Sequence, residues 1–123
     1  MTRFATPLAA IALVALAGCA QTPEQAIDQG DRFNFTSALT PYSAAICISR
    51  NANARGSGTS GQERMLGEVD MEVVVRDSPG TQGNTLAVAQ IRRGNPISSV
   101  TVSVTTSVRG DRQAFARQLM AGC

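Results

Sequence analysis

The second half of the chain carries a run of alternating side chains that limits the fold more than any other feature. In residues 68–76, every odd position is apolar and all but one of the even positions carry a charge. A period of two is typical of a β-strand with one face buried and the other in water. Residues 85–92 are apolar on both faces, which indicates a central strand.

A third strand is predicted from Ile97 to Val108, where valines alternate with Thr and Ser. The segments between the strands are short and rich in Gly, Pro, Asn and Asp, which favour turns. Short connections are typical of antiparallel strands that are neighbours in sequence order. The sequence therefore predicts a three-stranded antiparallel meander.

A helix is predicted on each side of this meander. The first begins with Pro41, after the capping residue Thr40, and ends before residues 56–61, which are interpreted as a flexible linker. The second is capped by Asp111 and carries one apolar stripe that ends at Cys123. Both helices are expected to cover the same face of the sheet, which gives an α+β fold of the order α-β-β-β-α.

The N-terminus is typical of a secretory signal peptide. Arg3 supplies a positive charge, residues 4–16 are almost wholly apolar, and the small residues Ala17 and Gly18 precede Cys19. This order of features marks a segment that is removed from the mature protein. The apolar run is too short and too interrupted for a membrane-spanning helix, which needs about 20 residues.

The residues Leu16-Ala17-Gly18-Cys19 resemble the lipobox of bacterial lipoproteins. The resemblance implies that residues 1–18 are removed and that lipid is attached to the thiol of Cys19. Ala20 stands where lipoproteins retained in the inner membrane often carry Asp. We therefore expect a chain that is anchored in the outer membrane by its lipid and faces the periplasm.

Residues 19–31 are polar, contain Pro23 and Gly30 and lack a sustained periodicity, so they are predicted to form a flexible tether. The polar stretch continues to residue 36, and a flexible chain of about 17 residues spans about 20–25 Å, which would hold the domain away from the lipid. Residues 32–123 are predicted to form a single small domain.

With lipid on Cys19, Cys47 and Cys123 remain as a pair. Two cysteines in a small periplasmic domain usually form a disulfide, because that compartment is oxidising. A redox site is the alternative, but the chain has no Cys-x-x-Cys motif and no His to activate a thiol. We expect a Cys47–Cys123 disulfide that joins the two helices.

The composition argues against an enzyme. The absence of His and Lys excludes Ser-His-Asp and Cys-His arrangements and Schiff-base chemistry, and no cofactor is predicted. Glu68, Asp70 and Glu72 are interpreted as a solvated strand face, since alternate positions about 7 Å apart do not close on a metal ion. Removal of the signal peptide takes away Arg3 and leaves ten basic and nine acidic residues. This nearly neutral net charge argues against nucleic-acid binding.

The third predicted strand contains no charge and no proline, although the order 1-2-3 places it at an edge of the sheet. Such an edge readily pairs with another strand. Residues 33–39, apolar at alternate positions 33, 35 and 39, are one candidate to cover it. The alternative is an envelope protein or a second copy of the chain that pairs along Val100, Thr101, Val102, Ser103, Val104 and Thr105.

These features favour a non-enzymatic lipoprotein of the cell envelope, whose small domain binds another protein or serves envelope assembly. The alternative is a carrier of lipid or another small ligand, with an apolar gap between the helices and the sheet. Small residues that would leave such a gap are Ala44, Ala45, Ala87, Ala89 and Ala116.

Overall fold

The computed structural model describes residues 22–56, 58–80 and 83–123, so the predicted signal peptide and Cys19 lie outside the described residues. The fold is α+β, as predicted. In chain order its elements are α1 (Pro23–Gln29), β1 (Asp31–Ser37), α2 (Pro41–Ala54), β2 (Ser60–Leu66), β3 (Asp70–Arg76), β4 (Thr85–Arg93), β5 (Ser98–Val104) and α3 (Arg112–Met120). Within these ranges, no helix has the length and hydropathy needed to cross a membrane.

The strands form one sheet of the order β1-β5-β4-β3-β2, and every neighbouring pair is antiparallel. Its middle part, β3-β4-β5, consists of the three predicted strands in the predicted order. The prediction that the sheet ends there is wrong, because β1 and β2 add one strand at each edge.

β1 occupies the side of β5 that the predicted meander leaves open. Phe33 is paired with Val102 and Phe35 with Val100, and both phenylalanines pack against the core. Residues 31–37 pair with this edge because their apolar side chains, at alternate positions, lie on the same face of the sheet as the valines of β5 and are buried with them. The chain covers its own edge, as one of the two alternatives predicted.

The hypothesis of a partner strand on this edge does not agree with the fold. β1 and β4 flank β5 on its two sides, so no free backbone edge remains there for a second chain. This applies to Val100, Thr101, Val102, Ser103 and Val104. Thr105 follows the strand and donates its hydroxyl to the carbonyl oxygen of Thr85 at 2.9 Å.

β2 begins inside the segment interpreted as a linker. Gly61 lies beneath α2, where an added Cβ would be 2.9 Å from the Cβ of Ala52 and 3.0 Å from the Cα of Ser49. The close approach of strand and helix therefore requires glycine at this position. β2 shows no alternation in the sequence, because its contact with α2 is a glycine and residues 62–66 are exposed.

The predicted tether also differs from the structure, since α1 lies within it. The side chain of Thr22 accepts a hydrogen bond from the backbone N–H of Gln25, and the side chain of Gln25 accepts one from the N–H of Thr22. This capping box fixes the start of the helix. Ala26 is fully buried, and α1 packs against β4 and β5. A single buried alanine gives too weak a pattern to be read from the sequence.

The core lies between the sheet and the pair α2 and α3. Ile48 of α2 and Leu119 of α3 are fully buried there against the valines of β3 and β5. The five alanines that suggested a gap are also fully buried, so they permit close packing of helix on sheet: Ala44, Ala45, Ala87, Ala89 and Ala116.

The predicted disulfide is confirmed. Cys47 and Cys123 are bonded, with their Cα atoms 5.8 Å apart. The side-chain amide of Asn51 on α2 donates to the carbonyl oxygens of Leu119 and Ala121, at 2.7 and 2.9 Å. The end of the chain is thus fixed to α2 by a covalent bond and by hydrogen bonds beside it.

Replacement of both Cys47 and Cys123 by Ser is expected to lower the free energy of unfolding by about 2–5 kcal/mol. The reason is that the bridge joins residues separated by 76 positions and so restricts most of the unfolded domain. Urea denaturation of the purified protein measures the effect, with Cys19→Ser as the matched control that retains the bridge. Equal midpoints for the double variant and the wild type would contradict it.

Candidate functional site

The exposed large apolar side chains of the described residues are gathered at one end of the domain. They come from the start of α2, from the end of β2 and the turn that follows it, and from the turn between β4 and β5. They are Tyr42, Met65, Leu66, Val69 and Ile97. Strand pairing explains their proximity, because Leu66 opposite Asp70 and Arg93 opposite Ser98 place both turns at the same end of the sheet.

A groove of about 470 Å³ opens between these three segments. Tyr42, Met65, Val69 and Ile97 form its rim, and the nearly buried Met71 forms its floor. We call it the end groove. It is the place where the N-terminus of α2 and the sheet diverge, so it gives access to the edge of the core.

Local backbone geometry presents the rim side chains. Gly67 has a φ of +85°, a conformation that L residues with side chains rarely adopt, and no atom approaches the place of its Cβ. The tight turn that results holds Leu66 and Val69 outward on its two sides. On α2, Pro41 occupies the first turn behind the capping residue Thr40, and Tyr42 follows it on the exposed side of the helix.

Two exposed charges of opposite sign border the end groove. Glu68 lies in the β2–β3 turn, and Arg93 ends β4. Neither side chain forms a hydrogen bond or an ion pair with a residue in the described ranges. An apolar surface with one cationic and one anionic group at its border is suited to bind a segment with apolar side chains and charged neighbours.

The predicted row of solvated carboxylates is not formed. Glu68 is in the turn, whereas Glu72 is buried and forms an ion pair with Arg64 of β2. The prediction that Glu72 is exposed is wrong, because β2 supplies the arginine across from it. Among the described residues, no group of three or more Asp, Glu or Cys side chains is placed to hold a metal ion.

Sequence reasoning missed the end groove, although part of its signal is present. Ile97 was assigned to a strand, but β5 begins at Ser98 and leaves Ile97 in the turn. Met65 and Leu66 belong to the strand that was missed. Tyr42 lies outside the buried stripe of α2, but a single exposed aromatic side chain does not mark a binding surface, and the residues that complete the patch come from other segments.

No protein-family model, curated protein or solved structure matches this chain. The function is therefore inferred from the geometry and chemistry of the chain itself.

The rim and the floor of the end groove are expected to respond differently to substitution. Val69→Ser combined with Ile97→Ser should reduce binding of a hydrophobic dye and change the free energy of unfolding by less than about 1 kcal/mol, since both side chains are more than 40% exposed. Met71→Ser should lower the free energy of unfolding by about 2–5 kcal/mol, since Met71 is 3% exposed and part of the core. Dye fluorescence and urea denaturation measure the two effects. Unchanged dye binding in the rim variant would show that the dye binds elsewhere.

Proposed function

We propose that this chain is a non-enzymatic lipoprotein of the bacterial cell envelope that binds another envelope protein through the end groove. Lipid on Cys19 anchors it, in the outer membrane and facing the periplasm. The observation that carries the proposal is that the exposed large apolar side chains of the described residues, Tyr42, Met65, Leu66, Val69 and Ile97, are gathered at one end of the domain.

The shape of the end groove favours a protein partner. Its apolar residues stand on an open rim, more than one third exposed, so a ligand in the groove would leave much of them in water. A partner surface would cover rim and floor together. Tyr and Met are also enriched at protein interfaces, where a flexible Met side chain adapts to the opposing surface.

The absence of His and Lys supports a binding role rather than catalysis. At the end groove the titratable side chains are the exposed Glu68, Arg93 and Tyr42, each on a different segment. No side-chain hydrogen bond or ion pair joins any two of these three residues, whereas covalent catalysis uses a nucleophile hydrogen-bonded to a base.

A carrier of a small apolar ligand is the second candidate, with the ligand in the end groove instead of between helices and sheet. The observation in its favour is the groove volume of about 470 Å³, which lies within the range of about 300–1,000 Å³ of small-molecule sites. Native mass spectrometry of the purified protein separates the two candidates, because a carrier retains its ligand and a protein-binding domain has none.

The anchor is tested by metabolic labelling with radioactive palmitate. The wild type should be labelled and Cys19→Ser should not, because only this thiol stands in the lipobox. Cys123→Ser is the matched control and should retain the label. Label that persists in Cys19→Ser would contradict lipid attachment at this residue.

The protein-binding site is tested by photo-crosslinking in living cells. A benzophenone amino acid in place of the exposed Tyr42 should give a discrete crosslinked protein, since the aromatic ring is on the groove rim. The same amino acid in place of Arg117, exposed on α3, is the control and should give none. Val69→Ser with Ile97→Ser should abolish the product at position 42. Equal products at both positions, or no effect of the rim substitutions, would contradict the proposed site.

A further inference from the structure

The sheet has a second face, opposite α2 and α3, which is polar over β1, β4 and β5. Strand pairing places six exposed or half-buried side chains there, and we call them the polar sheet face: Asn34, Thr36, Gln90, Arg92, Ser99 and Thr101. The hydroxyl of Thr101 and the side-chain oxygen of Asn34 are hydrogen-bonded at 3.0 Å. A shallow depression of about 620 Å³ lies over β1 and β5 at this place.

α1 packs on the same side of the sheet. Arg32 alternates with the core residue Phe33, so its side chain is on the side of the polar sheet face, and it donates to the carbonyl oxygen of Ile27 in α1 at 2.8 Å. A Cβ on Gly30 would be 2.6 Å from the carbonyl oxygen of Ala26 and 2.8 Å from that of Val104. The helix is therefore held tightly against the sheet, and the described part of the chain begins on this side, at Thr22.

The chain between the proposed lipid and the folded domain is short. Cys19 precedes Thr22 by three residues, which span at most about 10–11 Å even when fully extended. This reach is about half of that expected for a flexible tether over residues 19–31. A domain held so closely from one side must present that side to the bilayer.

We propose that the polar sheet face lies against the bilayer and binds the phosphates of phospholipid headgroups. The inference rests on the proposed lipid at Cys19. Arg92 is exposed and without a partner among the described residues, and the Ser, Thr, Asn and Gln side chains around it supply neutral hydrogen-bond donors. These are the groups that bind phosphate oxygens.

The charges of this side make the contact dependent on the anchor. Arg32 and Arg92 are cationic, while Arg64 is paired with Glu72. Glu24 and Asp28 of α1 are anionic, so the net charge of this side is small. The unlipidated domain is therefore expected to bind vesicles weakly, and the polar sheet face sets the orientation of the anchored domain.

The orientation leaves the end groove accessible. Arg92 and Arg93 are consecutive in β4 and point to opposite faces of the sheet, Arg92 to the polar sheet face and Arg93 to the end groove. The membrane and the proposed protein partner thus bind to different faces of the same sheet, and neither blocks the other.

The experiment uses the absence of Trp from the chain, which makes one introduced Trp a unique fluorescent probe. The full-length protein is purified with its lipid and inserted in vesicles of phosphatidylethanolamine and phosphatidylglycerol that carry a nitroxide on the headgroup. Thr36→Trp, on the polar sheet face, should lose most of its fluorescence. Tyr42→Trp, on the rim of the end groove, is the matched control and should retain most of its fluorescence.

Stronger quenching of Tyr42→Trp than of Thr36→Trp, or no quenching of either, would overturn the orientation. Mass spectrometry of the same samples measures the lipid on Cys19. If Cys19 carries lipid but the domain has the other orientation, this inference alone is refuted. If Cys19 carries no lipid, the proposed anchor is refuted as well. Circular dichroism and the intact disulfide confirm that each variant is folded.

The role of phosphate binding is tested by two neighbouring substitutions in Thr36→Trp. Arg92→Gln should weaken the quenching, because the cation on the polar sheet face is lost. Arg93→Gln removes the same charge from the opposite face and should leave the quenching unchanged. Equal effects of the two substitutions would reduce the contact to general electrostatic attraction and overturn the proposed headgroup site.

Discussion

The pairing of β1 with β5 is the interaction on which the rest of the structure depends. It runs over seven residue pairs, from Asp31 opposite Val104 to Ser37 opposite Ser98. It covers the uncharged edge of β5, places two phenylalanines on the core and joins the N-terminal part of the chain to its C-terminal part. Because β1 connects α1 directly to α2, its position also determines where both helices lie.

Each end of β1 leads to one of the two proposed binding surfaces. Before Asp31, Gly30 joins β1 to α1, which lies on the side of the polar sheet face. A larger residue at position 30 would collide with backbone oxygens. After Ser37, the chain crosses to the other face, and α2 begins at the end groove. The hydroxyl of Ser98, paired with Ser37, donates to the carbonyl oxygen of Leu39 at 2.6 Å and fixes this crossing.

The elements with dense side-chain patterns were predictable from the sequence, and those with sparse patterns were not. The valines of β3 and β5, the apolar run of β4, the cap and proline of α2 and the apolar stripe of α3 predicted three strands and two helices that the structure contains. The third strand was predicted to reach Val108, whereas β5 ends at Val104. β2 contains Gly61 at the contact with α2 and is exposed along the rest of its length, so burial imposes no alternation on it. α1 depends on one alanine and a capping box. The end groove was missed because its residues come together only when β2 is in place.

The number of residues between Cys19 and Thr22 changes what an anchored domain of this kind can do. A long flexible tether would let the domain reach partners at many distances and in any orientation. Cys19 precedes Thr22 by only three positions, so with the proposed lipid the reach is small and orientation becomes the main variable, since the side that carries α1 would stay near that lipid. Under the proposed anchor, a partner of the end groove has to come within the short reach of the domain, which favours proteins that are themselves embedded in or held at the same membrane. Two molecules held at one membrane meet at a high effective concentration, which raises the occupancy of any given interaction between them.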